Sequence, residues 1–144
     1  MQRVRDILEH KGNQIFGIGP DATVFNAIAI MADKEIGALL VMQGGQPVGI
    51  ISERDYTRNV ILKDKSSKNT RVADIMTSDL ITVSTQEHVD ECITLMQGHH
   101  IRHLPVVEKE EVVGMLSLRD LFSAVIDEQA HTIEHLEHYV RGEV

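Results

Sequence analysis

Gly49–Asp55 reads GIISERD, and Gly114–Asp120, 65 residues later, reads GMLSLRD. An internal repeat constrains a chain more than any local pattern does. Each copy must fold the same unit, and each can bury against the other what it cannot bury alone. At the shift of 65, Val24 falls on Val89, Ile28 on Ile93, Met31 on Met96 and Ile36 on Ile101. Leu39 then falls on Leu104, Val41 on Val106 and Val48 on Val113, with no gap in the register. Further upstream, VRDIL at Val4–Leu8 answers VADIM at Val72–Met76 at a shift of 68. One loop near residues 9–15 therefore differs in length between the copies by three residues.

Each copy predicts the order β-α-β-β-α. A short apolar strand (Ile15–Ile18; Leu80–Val83) leads through a turn to a helix. Its apolar positions are Val24, Ile28 and Met31 in one copy, and Val89, Ile93 and Met96 in the other. A β-rich strand follows (ALLVM; HLPVV), then a hairpin signal at Gln43–Gln46 or Glu108–Glu111. The return strand runs into a second helix near Glu53 or Leu118. Lys63–Arg71, KDKSSKNTR, is polar and basic and reads as a linker. A lone copy of roughly 60 residues buries little core. The expectation is an α/β (α+β) fold, with two repeats packed in pseudo-twofold symmetry and an extended C-terminal helix. Its divisions are 1–63, a linker at 64–71, 72–125, and a helical extension at 126–144.

Hydrophobic residues make up 42% of the chain but aromatic ones only 3%, so the core is aliphatic and little is available for stacking bases. The net charge of −8 argues against long nucleic acids, which need a basic surface. Cys92 is the sole cysteine, so no intramolecular disulfide can form. It shares helical spacing with Val89, Ile93 and Met96 and reads as a small buried apolar residue. The opening MQRVRDILEHKG lacks the apolar stretch of a secretory signal. No run approaches the ~18 apolar residues of a membrane span. A cytoplasmic protein is expected, with no membrane or nucleic-acid partner.

The repeat, the doubled Gly-x-x-Ser-x-x-Asp ending and the strand Leu104-Pro105-Val106-Val107 resemble a tandem pair of cystathionine β-synthase (CBS) domains, a Bateman module. The resemblance runs from Val4 to about Val125. The stretch GIISERDYTRNVILK, the SSKNTRVADIM segment and the closing helix look more narrowly like stand-alone bacterial CBS pairs. Such a resemblance implies two symmetry-related sites, in a cleft between the repeats, for adenosine-containing ligands: AMP, ADP, ATP, NAD or S-adenosylmethionine. It implies a regulatory role without catalysis, and a homodimer. No enzyme or channel domain accompanies the pair here, so any target would be a separate, unidentified protein.

Ser52 with Asp55, and Ser117 with Asp120, have the spacing of a helix capping box. A carboxylate in the first helical turn can also accept two hydrogen bonds from ribose hydroxyls. Ribose binding is placed ahead of capping for Asp120; for Asp55 both readings stay open. The preceding glycine would let backbone approach closely, and N–H groups at the helix start would favour an anion. Arg54 and Arg119 are either solvated or reach a ligand phosphate. Gly37 and Ala38 of the first copy align with Arg102 and His103 of the second. In similar proteins this position supplies basic contacts to phosphate, and the following Leu104-Pro105 supplies an apolar wall for adenine. If His103 faces phosphate its pKa should rise. Backbone near Ile81–Val83 in one site, and near Phe16–Ile18 in the other, would read the adenine edge. The cations Lys65, Lys68 and Arg71 either lie near the cleft mouth or are solvated.

The closing helix is predicted from Leu118 to about Arg141. Its stripe of Leu121, Val125, Ile126, Ile133, Leu136 and Val140 outlasts the repeat and suits a homodimer contact. HTIEH at His131–His135 matches the H-x-x-E-H pattern of zinc peptidases, but only nine residues follow it, and a polar helix face is the preferred reading. The sequence thus points to an adenine-nucleotide-binding regulatory module with no catalytic or metal site. The alternative is a homodimerisation platform with no signalling ligand.

Overall fold

A computed structural model describes residues 2–142; the last two residues of the 126–144 extension lie outside the described residues. In chain order the elements are α1 (Val4–Lys11), β1 (Gly17–Ile18), α2 (Val24–Lys34), β2 (Ala38–Gln43) and β3 (Gln46–Ser52). Next come α3 (Glu53–Tyr56), continuing into one π-helical turn at Thr57–Ile61, and α4 (Val72–Ile75). The second half holds α5 (Val89–His99), β4 (His103–Glu108), β5 (Glu111–Ser117) and α6 (Leu118–Val140). The chain is a mixed α+β protein with two small sheets and a long closing helix.

The chain divides into two compact units. One is Ile15–Ile81; the other joins the residues up to Gln14 to those from Thr82 onward. The units therefore exchange a piece relative to the sequence copies. Helix α1 opens the first copy but belongs to the unit of the second, and α4 opens the second copy but belongs to the unit of the first.

In the 15–81 unit the strand order is β1-β2-β3. β1 runs parallel to β2, and β2 pairs antiparallel with β3 through a bulge between Val41 and Met42. The two-residue hairpin loop places Gly44 and Gly45 at φ of 60° and 78°, a conformation that glycine adopts without steric cost. Helix α2 starts where the Thr23 hydroxyl accepts from the Asn26 N–H at 3.1 Å. Its buried face, Val24, Ala27 and Met31, packs on Leu39, Val41, Ile51 and Val60, and on Val72 and Ile75 of α4. The segment expected as a solvated linker has a structural task. Thr70 is buried, and the carbonyls of Thr70 and Ser67 accept from the N–H groups of Val24 and Phe25 at 2.8 and 3.0 Å. Those are donors of the first turn of α2 that have no partner within the helix.

The other unit repeats the plan with one element reduced. β4 and β5 pair antiparallel, with a bulge between Val106 and Val107 at the position equivalent to that in the first hairpin. The strand expected at Leu80–Val83 shrinks to a single parallel bridge between Val83 and Val106. Pro105 explains the reduction. Its counterpart Leu40 donates its N–H to the Phe16 carbonyl at 3.2 Å, and proline has no N–H to give. Helix α1 is tied to the turn before α5: Val4 and Arg5 donate to the carbonyls of Glu87 and Thr85 at 2.9 and 3.0 Å. Val4, Ile7, Val89, Cys92, Met96, Leu104, Val106, Leu116 and Leu121 are buried.

The motif glycines are required by packing. A Cβ on Gly114 would stand 2.8 Å from a Leu8 methyl of α1. A Cβ on Gly49 would stand 2.6 Å from the Met76 sulfur and 3.0 Å from the Thr77 carbonyl oxygen. The exchanged segments thus sit directly over the glycines, which replaces the expectation that these positions open the backbone to a ligand. Because Gly49 faces a backbone atom that cannot swing away, Gly49→Ala is expected to cost about 1–3 kcal/mol, the usual range for overpacking. Gly114→Ala, opposed only by a leucine tip, is expected to cost less. Urea unfolding of both variants measures the difference, and equal costs would contradict this account.

Candidate functional site

The start of α6 is built around Ser117 and Asp120. The Ser117 hydroxyl accepts from the Asp120 N–H at 3.1 Å, and the Asp120 carboxylate accepts from the Ser117 N–H at 2.8 Å. The first helical N–H, that of Leu118, donates to the Arg102 carbonyl at 2.8 Å. The Ser52–Asp55 pair is made the same way. Asp55 Oδ2 accepts from the Ser52 N–H at 2.9 Å and from its hydroxyl at 3.1 Å, and the Glu53 N–H donates to the Gly37 carbonyl at 3.1 Å. The capping box is therefore real in both copies. It also corrects the expectation of an anion site at the helix start. In each copy the first and third N–H groups of the first turn are already committed.

The two carboxylates sit in different fields. Burial raises the Asp55 pKa above the usual value, against the lowering effect of the Ser52 hydrogen bonds. Burial pushes Asp120 up as well, but the Lys11 ammonium and the Ser117 hydrogen bonds outweigh it and hold the carboxyl below its usual value. Lys11 is the last residue of α1. Its Nζ stands 2.7 Å from Asp120 Oδ2 and 2.9 Å from the Met115 carbonyl oxygen. Sequence reasoning missed this residue. At the shift of 68 that aligns the two preceding segments, Lys11 meets Asp79, so the repeat itself gives no signal for it.

His103 opens β4 beside this cluster. Burial pushes its pKa down to about 4, Lys11 and Arg102 add to the lowering, and Asp120 opposes it. The imidazole is thus neutral at pH 7 in the chain without ligand; the rise expected on contact with a phosphate concerns the bound state. Arg102 and Arg119 are exposed, and Arg54 is half-buried. Leu104 and Pro105 are both buried in the sheet. Val83 is buried at its bridge, whereas Phe16, Ile18 and Ile81 are half-buried. Ile81 closes the 15–81 unit and Val83 belongs to the other, so the pair expected to act together is divided between the units. Of the linker cations, Arg71 bonds Asp21 and Asp74 at 3.3 Å, and Lys68 lies 5.0 Å from the centre of the Phe25 ring. Cys92 is wholly buried, and burial pushes its thiol pKa up to about 11, which leaves it protonated and unreactive. On α6, His131 and His135 are exposed, and His138 stands 3.9 Å from Glu134. Among the described residues no group of three or more ligating side chains is gathered for a metal.

The His103 shift carries a pH prediction. A histidine whose folded pKa lies below its unfolded value of about 6.5 contributes stability that is complete above that value and is lost as pH falls toward 4. Between pH 7 and pH 5 the loss from this one group is expected to be up to about 2 kcal/mol. Urea unfolding at the two pH values measures it, with His103→Gln as reference. An unchanged pH slope in the variant would contradict the assignment.

Comparison with known proteins agrees with this architecture. The family model for the CBS domain matches residues 4–61 and 72–127. The mitochondrial CBS domain-containing protein CBSX3 of Arabidopsis thaliana is 36% identical over 148 residues, covering 96% of this chain and 72% of the relative. A solved CBS-domain protein from Burkholderia ambifaria MC40-6 is 43% identical with a TM-score of 0.87, covering 89% of this chain and 96% of that one. Two further neighbours carry ligands. The CBS domain protein PAE2072 from Pyrobaculum aerophilum, complexed with AMP, is 28% identical with a TM-score of 0.73, over 83% of this chain and 89% of that one. The CBS domain pair of protein MJ0100, in complex with 5′-methylthioadenosine and S-adenosyl-L-methionine, is 25% identical with a TM-score of 0.77, over 90% and 98%. No helix among the described residues is long and apolar enough to cross a membrane. With two family matches in tandem, each carrying its own capped Ser-x-x-Asp turn, the chain belongs to the CBS-domain family.

Proposed function

We propose that this chain is a non-catalytic regulatory module that binds an adenosine-containing ligand, with AMP, ADP, ATP and NAD as the candidates. The observation that carries the reading is the fixed Asp120 carboxylate at the start of α6, joined through Leu118 to the basic strand start at Arg102 and His103. A carboxylate so held can take ribose hydroxyls without reorganising, and Arg102 and Arg119 are exposed for phosphate. The Asp55 unit has the carboxylate and Arg54 but Gly37 and Ala38 at the strand start, so it is the weaker site. The AMP and S-adenosylmethionine complexes of the two neighbours support the ligand class. Ligand acts by favouring the arrangement it binds best, which an unidentified target protein can read. The cytoplasm is the compartment proposed.

Thermal unfolding of nucleotide-stripped protein tests this reading with AMP, ADP, ATP, NAD and S-adenosylmethionine. A ligand at about 100 times its Kd adds ~2.7 kcal/mol, a rise in Tm of about 5–10 °C at this size. The rise should be selective and should disappear in Asp120→Ala, while Asp55→Ala retains it. No rise with any of the five removes the ligand-binding reading.

The second reading, a homodimerisation platform, rests on α6. Phe122, Ile126, Ile133, Leu136 and Val140 are between 51% and 82% exposed, a stripe that water disfavours along one helix. Ile133, Leu136 and Val140 share one exposed face of α6 with Glu137 and Arg141. A homodimer through this stripe is expected under both readings. Sedimentation of Ile133→Glu/Leu136→Glu should then show monomer where the parent shows dimer, and a parent that sediments as monomer would discard the contact.

A further inference from the structure

Met115 and Ile50 hold the same place in the two hairpins, 65 residues apart, yet their backbones are satisfied differently. Ile50 exchanges two hydrogen bonds with Thr77, both 2.9 Å, because α4 ends at Ile75 and the chain turns extended. In the other unit α1 keeps its helical course to Lys11. There the Lys11 ammonium bonds the Met115 carbonyl oxygen and, in the same reach, Asp120 Oδ2. An ammonium thus stands on the carboxylate of one unit, and the position that the shift of 68 reaches within the other unit is Asp79.

Resting on the reading of Asp120 as the ribose-binding group, we infer that Lys11 makes this unit select a phosphorylated, anionic adenosine ligand over a neutral nucleoside or a cationic sulfonium one. Asp120 Oδ2 already accepts from both Lys11 and the Ser117 N–H. Ribose hydroxyls that take the carboxylate compete with the ammonium, whose remaining partner is the Met115 carbonyl. The Lys11 side chain is only 35% exposed, so water does not fully replace the lost charge partner. Arg102 carries positive charge into the same neighbourhood, since it and Lys11 both add to the lowering that burial imposes on His103. A ligand phosphate returns a counter-charge, and the flexible lysine stem can swing its ammonium to it. A neutral nucleoside returns none, and a sulfonium adds a further cation. Among the described residues Asp55 is bonded by Ser52 and not by a lysine ammonium; Arg54 and Arg58 act on it through space, so its unit lacks an ammonium that ribose would have to displace.

Calorimetric titration of the full chain in an Asp55→Asn background reports the Asp120 unit alone. AMP, adenosine and S-adenosylmethionine are titrated into this parent, Lys11→Met and Lys11→Arg, with Lys11→Gln as the substitute should Lys11→Met unfold. The parent should favour AMP, and Lys11→Met should lower the AMP-to-adenosine preference by about tenfold, chiefly by tightening adenosine. S-adenosylmethionine should tighten as well, and Lys11→Arg should keep the parent's order. An unchanged preference in Lys11→Met, or an equal loss for all three ligands, overturns the inference and leaves the binding function standing. A parent that binds none of the three removes the binding reading of this unit and the inference with it.

Discussion

Everything at the candidate site depends on how a β-hairpin is joined to the helix that follows it. The Ser117 N–H and hydroxyl and the Asp120 N–H and carboxylate satisfy one another across three residues, and the Leu118 N–H reaches back to the Arg102 carbonyl. Those bonds fix the start of α6 against the start of β4, where Arg102 and His103 stand in place of Gly37 and Ala38. A capping box is usually a matter of helix stability, worth about 1 kcal/mol. Here it also sets where a carboxylate stands relative to an arginine and a histidine. The structural and the ligand-binding readings of Ser-x-x-Asp are therefore not rivals. The cap supplies the preorganisation that lets the carboxylate bind anything.

The glycines show the same economy at the other end of the motif. Leu8 over Gly114 and Met76 over Gly49 put the segment that opens one sequence copy onto the hairpin of the other copy, within a single unit each time. Each unit consequently needs residues from both sides of the repeat, and the core of the 15–81 unit includes Val72 and Ile75 for that reason. A single copy cut at the sequence boundary would lack its own covering helix and would leave Ile51 and Val60 partly bare.

Much of the fold was legible because the repeat preserves period and register. The helices at Val24 and Val89, both hairpins and the long closing helix follow from apolar spacing and from the two-residue turns. The missing strand before Val83 was not legible, because alternation says nothing about ladder donors; Pro105 removes one, and its neighbour pairs only as a bridge. The polar run Lys63–Arg71 looked solvated, since its task is carried by backbone carbonyls that composition does not reveal. At the site, Ser117, Asp120, Arg102 and His103 were found by comparing the copies. Lys11 escaped because its role depends on α1 continuing one turn further than α4, which is a matter of helix length. The direction of the His103 shift also escaped, because only burial beside two cations produces it.

The two units have diverged in their chemistry while keeping one frame. The bulges at Val41 and Val106, the αL helix ends at Glu35 and His100 and the capped Ser-x-x-Asp turns recur at the same shift. Against that constancy, Gly37 has become Arg102, Ala38 has become His103, Leu40 has become Pro105, and a backbone bridge at Thr77 is answered by the Lys11 ammonium. All four changes lie on or beside the hairpin that leads to the carboxylate, and two of them bring a cationic side chain, Arg102 and Lys11, while the buried His103 stays neutral at pH 7. Arg102 and the Lys11 ammonium beside this one carboxylate support the proposal that the Asp120 unit takes the anionic ligand.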